Sequence, residues 1–142
     1  MFRKLTDRIL VSPQITIDQV EQAKAQGVTL IINNRPDDEE PGQVNGAEIE
    51  AAAKAAGIAY LAVPVAHGGF APWQLDGMAT ALEQADGGKL LAYCRSGTRS
   101  TLLWALTRAR AGDNADVLAA QAAAAGYDIG PVRQIMDALA PQ

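Results

Sequence analysis

Four short apolar runs, separated by helical stretches, constrain the fold more than any other feature of this 142-residue chain. The runs are RILVS at 8–12, VTLIIN at 28–33, IAYLAVPV at 58–65 and KLLAYC at 89–94. A strand that is apolar throughout is buried on both faces, which is typical of parallel sheets flanked by helices. The sequence therefore predicts an α/β fold in which a mostly parallel central sheet of about four or five strands carries helices on both faces.

The stretches between and after these runs have the apolar spacing of amphipathic helices. Helices are predicted at 16–27, 45–57, 72–86, about 98–112, 115–126 and 130–140, most of them ending at a glycine. Trp73 and Trp104 have apolar neighbours on these helices and are predicted to lie in the core. No repeat or linker divides the chain, so residues 1–142 are predicted to form a single domain.

Composition excludes several classes of function. A net charge of −4 argues against general binding to nucleic acid or to anionic membranes. The first twelve residues have too short an apolar run for a secretory signal, and no segment approaches the roughly 18 apolar residues of a membrane helix, so a soluble, cytoplasmic protein is expected. One cysteine and one histidine allow neither an internal disulfide nor a zinc cluster, and no metal or cofactor is predicted. The oligomeric state stays open.

Three candidate site residues follow predicted strands. Arg35, His67 and Cys94 each come just beyond a strand's carboxyl end. In open parallel sheets ligands bind outside these ends. The topology therefore predicts that the three residues converge on one edge of the sheet.

The segment CRSGTR, residues 94–99, carries the chain's only thiol. Cys94 ends a buried strand just before a helix, and the unpaired amides and dipole of a helix start favour a thiolate and form a cradle for an anion. Gly97 allows the backbone a tight turn, and Arg99 presents a planar fork that suits an oxyanion.

The remaining residues around this segment are assigned supporting roles in substrate binding. Ser96 or Thr98 is expected to cap the helix, and Ser100 to hydrogen-bond the sulfur. Arg95 and Arg35 are expected to add positive charge, although Arg35 has a second interpretation as an ion pair with the following DDEE run. That acidic run is otherwise interpreted as a solvated loop.

The pattern of Cys94, Gly97 and the Arg99–Ser100 pair resembles the phosphate loop of protein tyrosine and dual-specificity phosphatases. The stretch VSPQITIDQVEQAKAQGVTLIINNRPDDE resembles the amino-terminal half of that fold. From about Ile9 to Met136 the chain resembles the phosphatase-like domain of the bacterial beta-lactamase-hydrolase-like proteins, most specifically in YCRSGTRS and INNRPD. The resemblance implies a tyrosine-phosphatase-like three-layer fold. Members of this family resemble domains that are fused to metallo-hydrolase-type enzymes acting on persulfides. The resemblance therefore implies a partner enzyme that oxidises sulfide.

Two departures from the phosphatase pattern bear on mechanism. Phosphatases resemble C-x5-R, whereas here only Thr98 separates Gly97 from Arg99, giving C-x4-R. This shorter loop is similar to that of rhodanese-type sulfurtransferases, in which the cysteine carries one sulfur atom. In addition, VPVAHGGFAP resembles the general-acid loop with His67 in place of the aspartate. General acid catalysis contributes about 10²–10⁴ in rate, so its loss disfavours ester hydrolysis unless His67 substitutes.

The sequence supports three hypotheses for a small anionic substrate. The first is a sulfurtransferase in which Cys94 takes sulfur from thiosulfate or a persulfide and passes it to a small thiol. The second is a phosphatase acting on phosphate esters through a Cys94 phosphocysteine. The third is a module that binds an anion or a partner without turnover. The first two assign catalysis to Cys94, Arg99 and His67.

Overall fold

The computed structural model describes residues 2–66, 69–85 and 87–141. The strands are β1 (Arg3–Lys4), β2 (Ile9–Ser12), β3 (Val28–Asn33), β4 (Ala59–Ala62) and β5 (Lys89–Tyr93). The helices are α1 (Ile17–Ala25), α2 (Gly46–Ala55), α3 (Pro72–Gln84), α4 (Thr98–Arg110), α5 (Ala115–Ala124) and α6 (Arg133–Leu139), with a short 3₁₀ turn at Gly130–Val132.

The five strands form one sheet in the order β1-β2-β5-β3-β4. Pairings β2–β5, β5–β3 and β3–β4 are parallel, as the apolar runs predict, and β1 pairs antiparallel with β2. Tyr93 at the end of β5 is in register with Ser12 of β2 and Asn33 of β3, and Asn33 is in register with Ala62 of β4. The carboxyl ends of all four parallel strands therefore meet at one edge.

Alternate residues along the strands point into two separate cores. Leu30 and Ile32 of β3 lie in the core that α3, α4, α5 and α6 cover, and Ile31 lies in the core that α1 and α2 cover. Trp104, 2% exposed, belongs to the larger core. The predicted three-layer α/β fold is confirmed.

Three details differ from the sequence-based expectations. β1 is two exposed residues long and has no apolar pattern that would predict it. The run at 58–65 pairs as a strand only over Ala59–Ala62. Trp73 is 55% exposed, so its predicted core position is wrong. It lies two residues before Leu75, which α3 buries, and two residues rotate a helical side chain by about 200° away from the buried face.

Candidate active site at the carboxyl edge of the sheet

Four loops meet where the parallel strands end. The Asn34 N–H donates to Tyr93 O at 2.8 Å and the Cys94 N–H to Ser12 O at 3.4 Å, which continues the ladder one residue past the strands. The Gln14 N–H donates to Arg95 O at 3.2 Å. These bonds fix the segments after β2, β3 and β5 against one another. The structure thus brings Arg35 and Cys94 to one edge as predicted, while His67 lies outside the described residues.

Cys94 is fully buried, and its sulfur has a polar neighbour. The Gly97 N–H donates to the Cys94 sulfur at 3.1 Å. Gly97 precedes α4 with φ of 92°, a left-handed conformation that glycine adopts without strain. Among the described residues, no acceptor takes the backbone N–H of Ser96, Arg99 or Ser100. A chain of free amides next to a thiol is a ready-made binding site for an anion.

The serines and threonine of the loop have distinct roles. The Ser96 hydroxyl accepts the Thr98 N–H at 3.3 Å and donates to the Thr98 hydroxyl at 3.0 Å. The N-cap of α4 is Gly97, which has no side-chain cap, so the prediction that Ser96 or Thr98 is the cap is wrong. Ser100 is 0% exposed, and its hydroxyl has no partner among the described residues. The expected hydrogen bond from Ser100 to the sulfur is therefore not formed, and the described hydrogen-bond partners of the sulfur are the Gly97 N–H and the Arg99 side chain.

Glu39 holds the Arg99 guanidinium in place. Arg99 donates through Nη1 to Glu39 Oε2 at 2.7 Å and through Nη2 to Glu39 Oε1 at 2.8 Å. Nη1 also donates to Val65 O at 2.6 Å. A guanidinium has five N–H groups, and three of them make these hydrogen bonds. The Cys94 sulfur is a further hydrogen-bond partner of the Arg99 side chain. The remaining Nε–H and Nη2 proton share one edge, which can serve the sulfur or an oxyanion beside it while Glu39 stays bound.

Arg35 anchors the acidic loop. Its side chain is 1% exposed and donates through Nε to Glu39 at 2.8 Å, through Nη2 to Glu40 at 2.9 Å and through Nη1 to Gln14 at 3.1 Å. The sequence interpretation of Arg35 as the ion-pair partner of the DDEE run is therefore confirmed. Arg95 is 68% exposed and lies 3.7 Å from Glu40, at the rim of the site.

These contacts make Glu39 an unusual acid. Hydrogen bonds from Arg99 and then from Arg35 lower the pKa of Glu39 to about 2, although partial burial opposes the change. The pKa of Arg99 is raised, first by the hydrogen bond to Glu39 and further by the charge of Cys94. Glu39 is 15% exposed, so the expectation of a solvated acidic loop is wrong at this residue. Sequence reasoning missed it because the contact joins residues 60 positions apart.

Comparison with known proteins identifies the family of the chain. The profile of the beta-lactamase hydrolase-like proteins, phosphatase-like domain, matches residues 1–111. The chain belongs to this family. A beta-lactamase hydrolase-like protein from Xylella fastidiosa is 34% identical over 127 residues, which is 89% of this chain and 29% of that protein. The domain thus spans less than a third of this relative.

Solved structures confirm the fold of this phosphatase-like domain. A candidate phosphatase from Neisseria meningitidis has a TM-score of 0.82 at 33% identity and covers 96% of each chain. PTPMT1 has a TM-score of 0.74 at 16% identity, with 98% of this chain and 96% of that chain covered, a likeness that shows the fold alone. The fold is therefore that of the tyrosine phosphatases. In the part of the chain that the structure describes, no helix is long and apolar enough to cross a membrane.

Proposed function

We propose that this domain is a sulfurtransferase in which Cys94 carries one sulfur atom between a small anionic donor and a small thiol. The observation that carries the proposal is the short C-x4-R loop, in which the Gly97 N–H donates to the Cys94 sulfur at 3.1 Å and the Arg99 side chain is a second hydrogen-bond partner of the same sulfur. A loop one residue shorter than that of the phosphatases contributes one amide fewer to the cradle. Such a cradle suits a single sulfur atom better than a tetrahedral phosphoryl group.

The reaction consists of two substitutions at sulfur. The Cys94 thiolate attacks the outer sulfur of thiosulfate, the new S–S bond forms, the old S–S bond breaks, and sulfite leaves with the electron pair. An acceptor thiolate then attacks the outer sulfur of the Cys94 persulfide, which regenerates the Cys94 thiolate and releases the acceptor persulfide. The Arg99 side chain and the loop amides stabilise the anionic donor and the persulfide. Neither step requires a proton for the leaving group.

The acid chemistry of the described residues also favours sulfur transfer. A proton donor for the leaving alcohol accelerates the hydrolysis of a phosphate ester by about 10²–10⁴. Glu39 lies beside Arg99, but with a pKa of about 2 it is ionised at neutral pH and has no proton to give. The proposed donor role of His67 concerns a residue outside the described part of the chain and stays a prediction.

Hydrolysis of phosphate esters through a Cys94 phosphocysteine is the second candidate. The similarity to the Neisseria meningitidis candidate phosphatase, at a TM-score of 0.82, favours this chemistry over sulfur transfer. In this reaction the Cys94 thiolate attacks phosphorus, the P–O bond breaks, and the leaving alkoxide takes a proton from His67 or water. Water then attacks phosphorus, which breaks the S–P bond, releases phosphate and regenerates the Cys94 thiolate. Both candidates use the same nucleophile and the same Arg99 side chain.

The wider setting is proposed from the family. The beta-lactamase hydrolase-like relatives are more than three times as long as the matched segment, so they have room for a further domain. We infer a sulfide-oxidation partner enzyme from the family resemblance, and the cytoplasmic location stays a prediction from the sequence. Binding of an anion without turnover is the third possibility, and it differs from the first two because it does not require the thiol.

Mass spectrometry of the intact protein separates these functions. After incubation with thiosulfate, we expect the protein to gain the mass of one sulfur atom and to lose it on addition of a small thiol. Cys94→Ser, which keeps a hydroxyl of similar size in place of the thiol, should gain nothing. Steady release of phosphate from an aryl phosphate with no sulfur adduct would reverse the ranking of the two candidates. Stabilisation by these anions without either reaction would favour the binding module.

A further inference from the structure

Tyr127 contacts the Cys94 loop from a segment that the family profile does not cover. It follows α5, whereas the family match ends at residue 111. The Tyr127 hydroxyl donates to Ser96 O at 2.9 Å, and the side chain is 9% exposed. The Arg3 guanidinium lies over the Tyr127 ring, 5.2 Å from its centre, a cation–π contact that also helps to hold the ring.

The bond to Ser96 O acts on the sulfur through a single peptide unit. Ser96 C=O and Gly97 N–H belong to the same trans peptide and point in opposite directions. The carbonyl accepts from Tyr127, and the N–H donates to the Cys94 sulfur at 3.1 Å. Rotation of this peptide would break both bonds together. A hydrogen bond to the carbonyl also polarises the amide and strengthens its N–H as a donor.

Gly97 makes the close approach of Tyr127 possible. A Cβ atom at residue 97 would collide with the Tyr127 hydroxyl and lie 2.8 Å from Cζ of the same ring. Burial, and to a smaller extent the charge of Cys94, raise the pKa of Tyr127 against the opposing effect of Arg3, so the hydroxyl keeps the proton that it donates. The absence of a side chain at Gly97 therefore allows the Tyr127 ring to pack directly against the loop backbone.

We propose that Tyr127 is a positioning residue that orients the Ser96–Gly97 peptide and so holds a hydrogen-bond donor on the Cys94 sulfur. The proposal rests on the role of Cys94 as nucleophile. Tyr127 touches neither the sulfur nor the substrate in this role. Its effect on the reaction passes through the peptide.

Alkylation of Cys94 tests the proposal without any assumption about the substrate. Because the chain has a single cysteine, one iodoacetamide adduct in the intact mass reports on Cys94 alone. Tyr127→Phe keeps the ring and the contact with Arg3 and removes only the hydroxyl. Cys94 is fully buried, so access of iodoacetamide contributes to the rate, and each rate is divided by the plateau rate of the same protein at high pH. We expect this normalised rate at neutral pH to fall by about three- to tenfold, the effect of losing one hydrogen bond. The pH profile of alkylation should move to higher pH, because the sulfur anion loses its donor.

Tyr60→Phe is the matched control. The Tyr60 hydroxyl accepts from Asn33 Nδ2 at 3.0 Å and is also a hydrogen-bond neighbour of Tyr93, so this variant loses hydroxyl contacts but none to residues 94–99. We expect its alkylation rate and pH profile to equal those of the parent protein. A Tyr127→Phe rate equal to or faster than the parent rate would overturn the proposal, as would equal slowing in both variants. Failure of thiosulfate to add sulfur would count against the proposed function and leave this comparison intact.

Discussion

Replacing Glu39 by Gln should destabilise the protein in a way that depends on pH. The substitution keeps the shape of the side chain and removes the charge that Arg35 and Arg99 share. Lowering the pKa of Glu39 from 4.5 to about 2 corresponds to about 3 kcal/mol of stabilisation at neutral pH. The group is 15% exposed, so solvent screening reduces this figure only partly. We therefore expect Glu39→Gln to lower the free energy of unfolding by about 3 kcal/mol at pH 7.

The sign of the pH dependence follows from a carboxyl whose pKa is lower in the folded state. Its stabilisation is complete above the unfolded pKa near 4.5 and disappears as the pH falls towards 2. About half of the difference between the parent protein and Glu39→Gln should be lost by pH 3. Urea denaturation of both proteins at pH 7 and pH 3 measures this difference.

A matched substitution separates this ion pair from an ordinary surface pair. Asp113 binds Arg108 at 2.8 Å, but the two side chains are 42% and 37% exposed. Asp113→Asn should therefore cost less than about 1 kcal/mol at pH 7. If Glu39→Gln costs no more than Asp113→Asn, or if its cost is the same at pH 3 and pH 7, the reasoning about Glu39 is wrong.

Two further substitutions test the loop itself. Arg99→Lys keeps the positive charge, but a lysine cannot donate to Glu39 and Val65 O and also present two parallel N–H donors to a substrate. We therefore expect kcat/KM for sulfur transfer to fall by about 10² or more. An unchanged kcat/KM would show that the reaction does not use the paired Arg99 donors. Gly97→Ala places a Cβ at φ of 92° and against Tyr127, so chemical denaturation should show a loss of at least about 1–2 kcal/mol. A Gly97→Ala protein with parental stability would contradict the described loop geometry.

The sequence predicts those parts of the fold in which local pattern and burial agree. The predictions of β2, β3 and β5 are correct because their apolar runs are buried in the parallel sheet. β4 lies at the edge of the sheet and is exposed or half-buried, so its apolar run predicts the strand without complete burial. Trp73 was misplaced because an apolar residue on a helix indicates burial only when it shares a face with the other apolar residues. β1 carries no apolar signal, since both of its residues are exposed.

The candidate site is predictable only in part, for a different physical reason. The loop from Cys94 to Arg99 is contiguous, so its cysteine, glycine and arginine reveal its chemistry directly. Glu39 and Tyr127 reach the same loop from distant segments, and neither lies in a motif. A run of acidic residues usually indicates a solvated loop, and only the tertiary contact with Arg99 shows that Glu39 is an exception. Likewise, a tyrosine near the end of the chain gives no local sign of its bond to Ser96 O.

The complete burial of Cys94 has a consequence for what happens to its sulfur between reactions. Oxidants in bulk solution reach exposed thiolates most readily, and over-oxidation to sulfinic acid is irreversible for most proteins. A sulfur with no surface towards solvent is sheltered from that loss. The same burial means that any reagent or substrate reaches the sulfur only by entering the loop, so access to the loop limits every reaction of Cys94.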